Sequence, residues 1–134
     1  MPGYSGTPLP KKLGIKDGFH VRLIEAPPEV TAELKSSLEK CEIARDGKAL
    51  LDFAMLFTKS SASLKKEFAQ TAKRLGAAGM LWISWPKKTS GVPTDLDENI
   101  IREIGLAAGL VDVKVCAVTE IWSGLKFVRR LKDR

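Results

Sequence analysis

Residues 79–91, GMLWISWPKKTSG, decide the fold of this chain, because an apolar run there ends abruptly in a proline, two lysines and small polar residues. A nearly continuous apolar run is typical of a strand covered on both faces, as in a parallel α/β sheet. Ligands of such sheets bind where the strands end in loops. The stretch therefore predicts a buried strand that leads into a cationic loop, and that loop is a candidate binding site.

The size and composition of the chain indicate one globular domain. It has 134 residues and a formal net charge of +6. A chain of this length buries roughly two-thirds of the surface that its unfolded form exposes, so it needs no disulfide or metal to fold. No apolar run approaches the ~20 residues that span a bilayer. With no recognisable signal peptide, and with Cys41 and Cys116 in or beside apolar segments, we expect a cytoplasmic protein with reduced thiols and no membrane association.

The chain divides into an arm and a body. Residues 1–18 are rich in glycine and proline and predict an irregular N-terminal arm, which we expect to pack on the body through Tyr4, Leu9, Leu13 and Ile15. Residues 19–134 form the single α/β domain. In it, strands are predicted at residues 20–25, 41–45, 50–58 and after Gly79, with Gly47 breaking the second of these.

Capping residues set the limits of the predicted helices. The first begins at Pro27-Pro28 and ends near Lys40. The second is capped by Ser60 or Ser61 and ends before Gly76 and Gly79, with a core face of Leu64, Phe68, Ala72 and Leu75. The third has Thr94 as its N-cap and ends at Gly109, with a core face of Leu96, Ile100, Ile104 and Ala108.

Two alternating segments close the chain. Val111, Val113 and Val115 alternate with other residues in the first, and Leu125, Phe127 and Leu131 alternate in the second, beyond a turn at Ser123-Gly124. Such a pair predicts an antiparallel hairpin. The alternating strands and helices before it predict a three-layer, mostly parallel sheet with helices on both faces.

A parallel sheet that finishes with a helix and two antiparallel strands resembles the class I methyltransferase variant of the Rossmann fold. The Gly79-Met80-Leu81-Trp82 segment is similar to the fifth-strand region of that family. The resemblance implies the sheet order 2-1-3-4-6-5, without the middle part of a methyltransferase chain.

The same resemblance implies S-adenosylmethionine as a cofactor, yet the chain departs from the family at the cofactor turn. Methyltransferases have a glycine-rich turn after the first strand, whereas this chain has Glu25-Ala26-Pro27-Pro28-Glu29, and its prolines supply no N–H groups. Glu42 or Asp46 are the candidates for an acidic residue that would hold the ribose. We therefore expect no cofactor, with S-adenosylmethionine as the alternative.

A second resemblance covers nearly the whole chain. It rests on YSGTPL at residues 4–9, LWISWPKK at residues 81–88, GLVDVKVCAV at residues 109–118 and WSGL at residues 122–125. These segments look like a bacterial family, the domain of unknown function 3052. Its members are small single-domain proteins without an assigned activity, so the resemblance implies a fold and a domain boundary but no catalytic residue.

The strongest candidate site is the loop after the apolar run. Lys87 and Lys88 would neutralise an anion, Thr89 and Ser90 would add hydroxyl hydrogen bonds, and Gly91 would permit close approach. The alternative is a solvated loop that ends a strand.

Other candidates lie at the ends of neighbouring strands. The central strand ends in four residues that would face the same crevice or else cap a helix: Thr58, Lys59, Ser60 and Ser61. Glu25 ends the first strand, as a site carboxylate or a solvated acid. Trp122 would stack on a base or pack in the core, with core packing favoured.

Other chemistry lacks support in the sequence. His20 is the only histidine, so neither a pair of histidine metal ligands nor a serine–histidine couple exists. The leading hypothesis is a noncatalytic module that binds a small anionic ligand or a protein partner at the ends of strands one, three and four. The first alternative is nucleic-acid association through Lys65/Lys66, Lys73/Arg74 and Arg129/Arg130. The second is a divergent S-adenosylmethionine-dependent methyltransferase.

Overall fold

A computed structural model of the chain describes residues 6–44 and 49–134. Tyr4, Asp46 and Gly47, which entered the sequence predictions, lie outside the described residues. The helices and strands are α1 (Leu9–Leu13), β1 (His20–Ile24), α2 (Pro28–Leu38), β2 (Glu42–Ile43), β3 (Leu51–Phe57), α3 (Ser61–Ala72), β4 (Leu75–Pro86), α4 (Glu98–Ala107), β5 (Leu110–Ala117) and β6 (Trp122–Arg129).

The six strands form one mixed sheet in the order β2-β1-β3-β4-β6-β5. Strands β2, β1, β3 and β4 are parallel, while β6 is antiparallel to both β4 and β5. The predicted α/β class, the closing hairpin and the sheet order 2-1-3-4-6-5 are therefore confirmed. The predicted position of the hairpin turn was wrong, since Ser123 and Gly124 pair with β5 inside β6 and the turn precedes Trp122. Strands β3 and β4 lie at the centre, and residues 53–57 of β3 and 81–86 of β4 are buried, which accounts for the nearly continuous apolar sequence of these segments.

Each face of the sheet has its own core, because alternate side chains of a strand point to opposite faces. On one face α3 and α4 pack through Leu64, Phe68 and Ile101 against Leu81, Ile83 and Phe127. We call this the α3/α4 face. On the other, α1 and α2 pack through Leu9, Leu13, Val30 and Leu34 against Phe53, Met55 and Trp82. We call this the α1/α2 face.

The N-terminal arm contributes to the second core. Leu9 and Leu13 are buried there, and the indole Nε1 of Trp82 donates a hydrogen bond of 2.9 Å to the carbonyl oxygen of Leu13. Gly14 ends α1 with a φ of 89°, a left-handed conformation that favours glycine. The arm is thus fixed to the central strand of the sheet by both apolar and polar contacts.

Helix α3 ends earlier than predicted. Its last residue is Ala72, so Leu75, Gly76 and Gly79 belong to β4 and the prediction that the glycines end the helix was wrong. A Cβ atom on Gly79 would lie 2.6 Å from the carbonyl oxygen of Leu51. This glycine therefore allows β4 to pass close to the backbone of β3, where the register of the pair shifts.

Helix α4 begins three residues later than predicted. Its N-cap is Asp97, whose carboxylate accepts a hydrogen bond of 2.8 Å from the N–H of Ile100, whereas the Thr94 hydroxyl donates to the carbonyl oxygen of Lys59. The later start goes with a different core face, on which Ile101 and Gly105 are buried while Ile100 is 36% exposed. The predicted end at Gly109 agrees with the structure, since this glycine has a φ of 91°.

The closing strands differ from a simple alternation. Val113 and Val115 are 54% and 51% exposed, because β5 is an edge strand with a bulge between Asp112 and Lys114. Leu131 is exposed in a short 3₁₀ helix beyond β6, not in the strand. Across residues 6–44 and 49–134, no helix combines the length and hydrophobicity that crossing a bilayer requires.

Candidate ligand site at the carboxyl edge of the sheet

The sequence-predicted site residues lie at the edge of the sheet where β1, β3 and β4 end. These strands are parallel neighbours, so Glu25, Thr58 and Lys87, each of which follows one of them, emerge at the same edge. In an open parallel sheet this carboxyl edge is the usual place for a ligand.

The loop after β4 is a compact turn. The N–H of Lys87 donates to the carbonyl oxygen of Ile121, which joins the loop to the β5–β6 turn. The Ser90 hydroxyl donates to the carbonyl oxygen of Lys87 at 2.6 Å and accepts from the N–H of Val92 at 3.2 Å. Lys88 and Thr89 are exposed, and Gly91 closes the turn with a φ of 78°. The Ser90 hydroxyl therefore holds the loop together, and Lys88 is the side chain most open to a ligand.

The segment after β3 caps a helix. Ser60 is the N-cap of α3, and its hydroxyl oxygen accepts a hydrogen bond of 3.3 Å from the N–H of Ser63. Thr58 is buried, and its hydroxyl oxygen bonds to the backbone of Ser60. The capping interpretation is thus confirmed for Ser60, and direct ligand contact by either hydroxyl stays a prediction.

Asp95 occupies the N-terminus of α3, a contact that the sequence did not reveal. Its carboxylate accepts hydrogen bonds from the Ser61 N–H at 2.8 Å and the Ser61 hydroxyl at 2.9 Å. The Ser61 backbone and hydroxyl, followed by the charge of Lys65, hold the pKa of Asp95 below its usual value. A helix N-terminus attracts anions, and here a carboxylate of the same chain already fills that position.

A hollow of about 390 Å³ lies beside this carboxylate. Its lining comes from Lys88 and from residues 91–97, which include Asp95 and Asp97. Both carboxylates also cap helices, so their positions are fixed by hydrogen bonds to backbone N–H groups. The hollow thus combines a mobile cation with two ordered carboxylates.

The turn after β1 has an unusual backbone. Glu25 is exposed and has a φ of 59°, the only positive φ of a non-glycine residue in the described part of the chain. Pro27 then takes the N-cap position of α2 without a side-chain cap, and Pro28 is the first helical residue. Neither proline has an N–H, so this helix start presents fewer backbone donors than an ordinary one.

Trp122 packs in the core at the same edge. It pairs with Pro86 at the start of β6 and is only 8% exposed. Its ring meets that of Phe57 edge-on, with ring centres 5.2 Å apart. This is the packing role that the sequence favoured, and stacking on a ligand stays a prediction.

His20 lies at the opposite, amino edge of the sheet. Its ring nitrogens are 3.4 Å from a Glu42 oxygen and 3.6 Å from an Asp52 oxygen. The described residues contain no group of three or more side chains suited to hold a metal ion.

Two of the three basic pairs named from the sequence meet at the amino edge. Arg129 is the last residue of β6. Its guanidinium donates to the carbonyl oxygens of Ala72, at the end of α3, and Leu75 at 2.9 and 2.6 Å. Arg74 donates to the carbonyl oxygen of Ala49 at 3.2 Å. Both arginines therefore stabilise backbone carbonyls, while Lys65 and Lys66 lie exposed near the start of α3.

Several solved structures share this fold. A putative type 11 methyltransferase from Sulfolobus solfataricus aligns with a TM-score of 0.60 and 18% identity, over 91% of this chain and 89% of that one. Magnesium protoporphyrin IX methyltransferase from Synechocystis PCC 6803, solved with bound SAH, aligns with a TM-score of 0.56 and 12% identity, over 85% and 75%. The fibrillarin pre-rRNA processing protein of Methanococcus jannaschii gives 0.54 and 14%, over 92% and 69%.

At these identities the similarity establishes the fold alone, and it confirms the methyltransferase-like Rossmann architecture. No curated protein matches the sequence of this chain. The resemblance to a family of unknown function is confirmed, since a family model matches residues 10–131. The chain belongs to the family described as protein of unknown function (DUF3052).

Proposed function

We propose that this protein is a noncatalytic binding domain, and that its ligand is a small molecule with one anionic group held by Lys88 at the carboxyl edge of the sheet. The observation that carries this proposal is the hollow of about 390 Å³ beside Lys88. Small-molecule sites have volumes of roughly 300–1,000 Å³, so the hollow suits a compact ligand.

The charges around the hollow favour a singly charged group. Asp95 and Asp97 line it together with Lys88, and hydrogen bonds from Ser61 hold the pKa of Asp95 below its usual value, which favours its ionised form. A polyphosphate would bring several negative charges beside these two carboxylates, and like charges repel. A carboxylate of the ligand would instead meet Lys88, and an amino group on the same ligand would suit either aspartate.

S-adenosylmethionine is the alternative ligand, because structures of the same fold include SAM-dependent methyltransferases. The turn after β1 does not fit this cofactor. A dinucleotide-type or nucleoside-type turn needs glycines for close backbone approach and free N–H groups at the helix start. This chain has Glu25 in a left-handed conformation, with Pro27 and Pro28 at the helix start. We therefore derive no methyl transfer for this chain.

Native mass spectrometry of the protein purified from its own cells tests the proposal. We expect an additional mass on the folded chain, and its loss in the double variant Lys87→Ala/Lys88→Ala. The matched control is Lys35→Ala/Lys40→Ala, which removes the same charge from α2 and its C-terminal end. Both variants should fold within about 0.5 kcal/mol of the parent, as expected for surface positions.

Two outcomes contradict the proposal. The first is a bound mass that both variants retain, since the loop would then be only the end of a strand. The second is binding of S-adenosylmethionine or S-adenosylhomocysteine with micromolar affinity in a calorimetric titration, which would favour the divergent methyltransferase.

A further inference from the structure

Two lysines face each other on the α1/α2 face of the sheet. Lys114 of β5 pairs directly with Lys126 of β6, and Lys126 in turn pairs with Trp82 of β4. Like charges placed directly opposite each other in an antiparallel pair destabilise the sheet. A sequence that keeps this pair therefore tolerates a cost that an apolar or oppositely charged residue would avoid.

A third lysine joins them from the N-terminal arm. The Lys114 Nζ donates a hydrogen bond of 3.2 Å to the carbonyl oxygen of Lys12, so α1 runs beside β5. Burial raises the pKa of the neighbouring Cys116 thiol, and the charges of Lys12 and Lys114 partly oppose that rise. The pKa of Lys126 is lowered by burial and then by the charge of Lys114. We call Lys12, Lys114 and Lys126 the lysine cluster.

Acidic side chains do not offset the two strand lysines. Within residues 6–44 and 49–134, the ion pairs involve His20 or Arg102, and neither Lys114 nor Lys126 takes part in one. Asp112, the nearest carboxylate along β5, accepts a hydrogen bond of 2.8 Å from Arg102 of α4. The charges of Lys114 and Lys126 are thus left for an external anion.

The basic surface extends along β6 as a strip. Alternation places Lys126 and Val128 on the same face, and Arg130, whose backbone is also extended, follows just beyond the strand. Four residues of strand span about 13 Å. Each strand of a nucleic-acid duplex carries a phosphate about every 3.4 Å along the axis, so the strip is long enough for several phosphates.

We propose that the lysine cluster and Arg130 form a docking surface for the phosphate backbone of a double-stranded nucleic acid. Lysine is a flexible point charge, which suits sequence-independent contact with phosphates. A single strand is disfavoured because its binding relies on aromatic stacking, and no aromatic side chain is exposed in the described part of the chain. This surface is separate from the hollow beside Lys88, which lies at the carboxyl edge.

Fluorescence anisotropy with a labelled duplex of about 20 base pairs tests this proposal. The full chain is titrated from about 50 mM to about 200 mM salt. We expect the logarithm of affinity to fall against the logarithm of salt concentration with a slope of about −2.7 to −3.6 for three to four phosphate contacts. The variant Lys114→Gln/Lys126→Gln should reduce the steepness by about 1.8 and weaken binding at low salt by on the order of tenfold. The melting temperature of this variant should equal or exceed that of the parent, because two like charges that face each other across the strands are removed.

The comparison variant is Lys65→Gln/Lys66→Gln, which removes the same charge from α3 on the other side of the sheet and tests the alternative nucleic-acid interface predicted from the sequence. It should change the affinity by no more than about twofold and leave the salt slope nearly unchanged. The proposal is overturned if the parent does not bind the duplex at low salt, or if the two variants lose affinity equally. It is also overturned if anionic phospholipid vesicles bind while the duplex does not, or if a single strand binds better than the duplex.

Discussion

The two faces of the sheet use the same strands in different ways. Strand β6 directs Leu125 and Phe127 toward α3 and α4, where the Phe127 ring meets the Phe68 ring edge-on with centres 5.2 Å apart. The same strand directs Lys126 toward the α1/α2 face, where it is only half-buried. Two full helices cover the first face, while the β5–β6 part of the second is bordered by the short arm helix. The side chains that β6 directs to the α3/α4 face are therefore used for packing, whereas its Lys126 on the α1/α2 face stays partly exposed.

The largest expected effect concerns Trp82, which anchors the α1/α2 face. Its side chain is fully buried in the central strand and also bonds to the Leu13 carbonyl. We expect Trp82→Ala to lower the free energy of unfolding by about 3 to 5 kcal/mol, the range for truncating a large buried aromatic. Chemical denaturation measures this change.

The conservative variant Trp82→Phe separates the two contributions. It keeps most of the apolar volume but leaves the Leu13 carbonyl without its donor, which should cost about 1 to 3 kcal/mol. A loss below about 1 kcal/mol for Trp82→Ala would mean that the arm and the centre of this face contribute little to stability.

A smaller effect is expected on the α3/α4 face, at Gly105. A Cβ atom there would lie 2.0 Å from Cε1 of Phe127, so the ring occupies the space of a side chain. Alanine at an unhindered helical glycine stabilises by about 0.5 to 1 kcal/mol. We expect Gly105→Ala instead to destabilise by about 1 to 3 kcal/mol, the usual cost of overpacking.

The sign of that change makes the test decisive. Thermal or chemical melts of the parent, Gly105→Ala, Phe127→Leu and the double variant form a double-mutant cycle, and the smaller side chain at position 127 should relieve part of the cost of Gly105→Ala. Leu106→Ala, on the exposed side of the same helix, is the matched control. A stabilised Gly105→Ala would show that α4 does not press against Phe127.

The strands and helices were predicted from local patterns, whereas the order of the sheet was predicted from the resemblance to class I methyltransferases. Apolar runs, alternating segments and the closing hairpin are set by neighbouring residues, and six strands form near the predicted positions, although β4 begins at Leu75, before the predicted start after Gly79. Helix α4 shows the limit of such patterns. Ile100, Ile101 and Ile104 are all apolar, so the sequence alone did not determine which of the first two faces the core. In the structure α4 starts at the later N-cap Asp97, and Gly105 has no side chain where the Phe127 ring packs against the helix.

The site was less predictable because its contacts join distant segments. Asp95 bonds to Ser61, 34 residues away, although its sequence position suggested the first turn of α4. The lysine cluster depends on the register of β5 with β6 and on where the arm docks. From the sequence, Arg129 belonged to a basic pair that could contact nucleic acid, whereas its guanidinium donates to the carbonyl oxygen of Ala72 at the end of α3. Spacing in the sequence carries none of this information.

Acidification should lower the free energy of unfolding through Asp95, whose carboxylate bonds to Ser61 at the start of α3. Its folded pKa is depressed by Ser61, so the folded state stabilises the ionised form. That stabilisation is present above the unfolded pKa of about 3.9 and is lost as the pH falls through the lowered folded value. We expect the stability difference between the parent and Asp95→Asn to be largest near neutral pH and to shrink on acidification.

Urea melts of both proteins at a series of pH values measure the difference. Asp133→Asn, in the exposed C-terminal segment, is the control and should leave the pH dependence unchanged. A constant difference between the parent and Asp95→Asn at every pH would mean that the carboxylate charge does not stabilise the helix start.

The smallest effect is expected at the cysteines, both of which pack on the α1/α2 face at opposite edges of the sheet. Both are free, and burial raises the pKa of each thiol. We therefore expect no change of intact mass on reduction and slow alkylation by iodoacetamide at neutral pH, because the thiolate is the reactive form.

Lys114→Gln removes a charge that favours the Cys116 thiolate, so it should slow alkylation of Cys116 further. Cys41 is the internal control, and its rate should stay unchanged; an equal change at both thiols would place Lys114 away from Cys116, whereas a gain of about 2 Da on reduction would mean a disulfide.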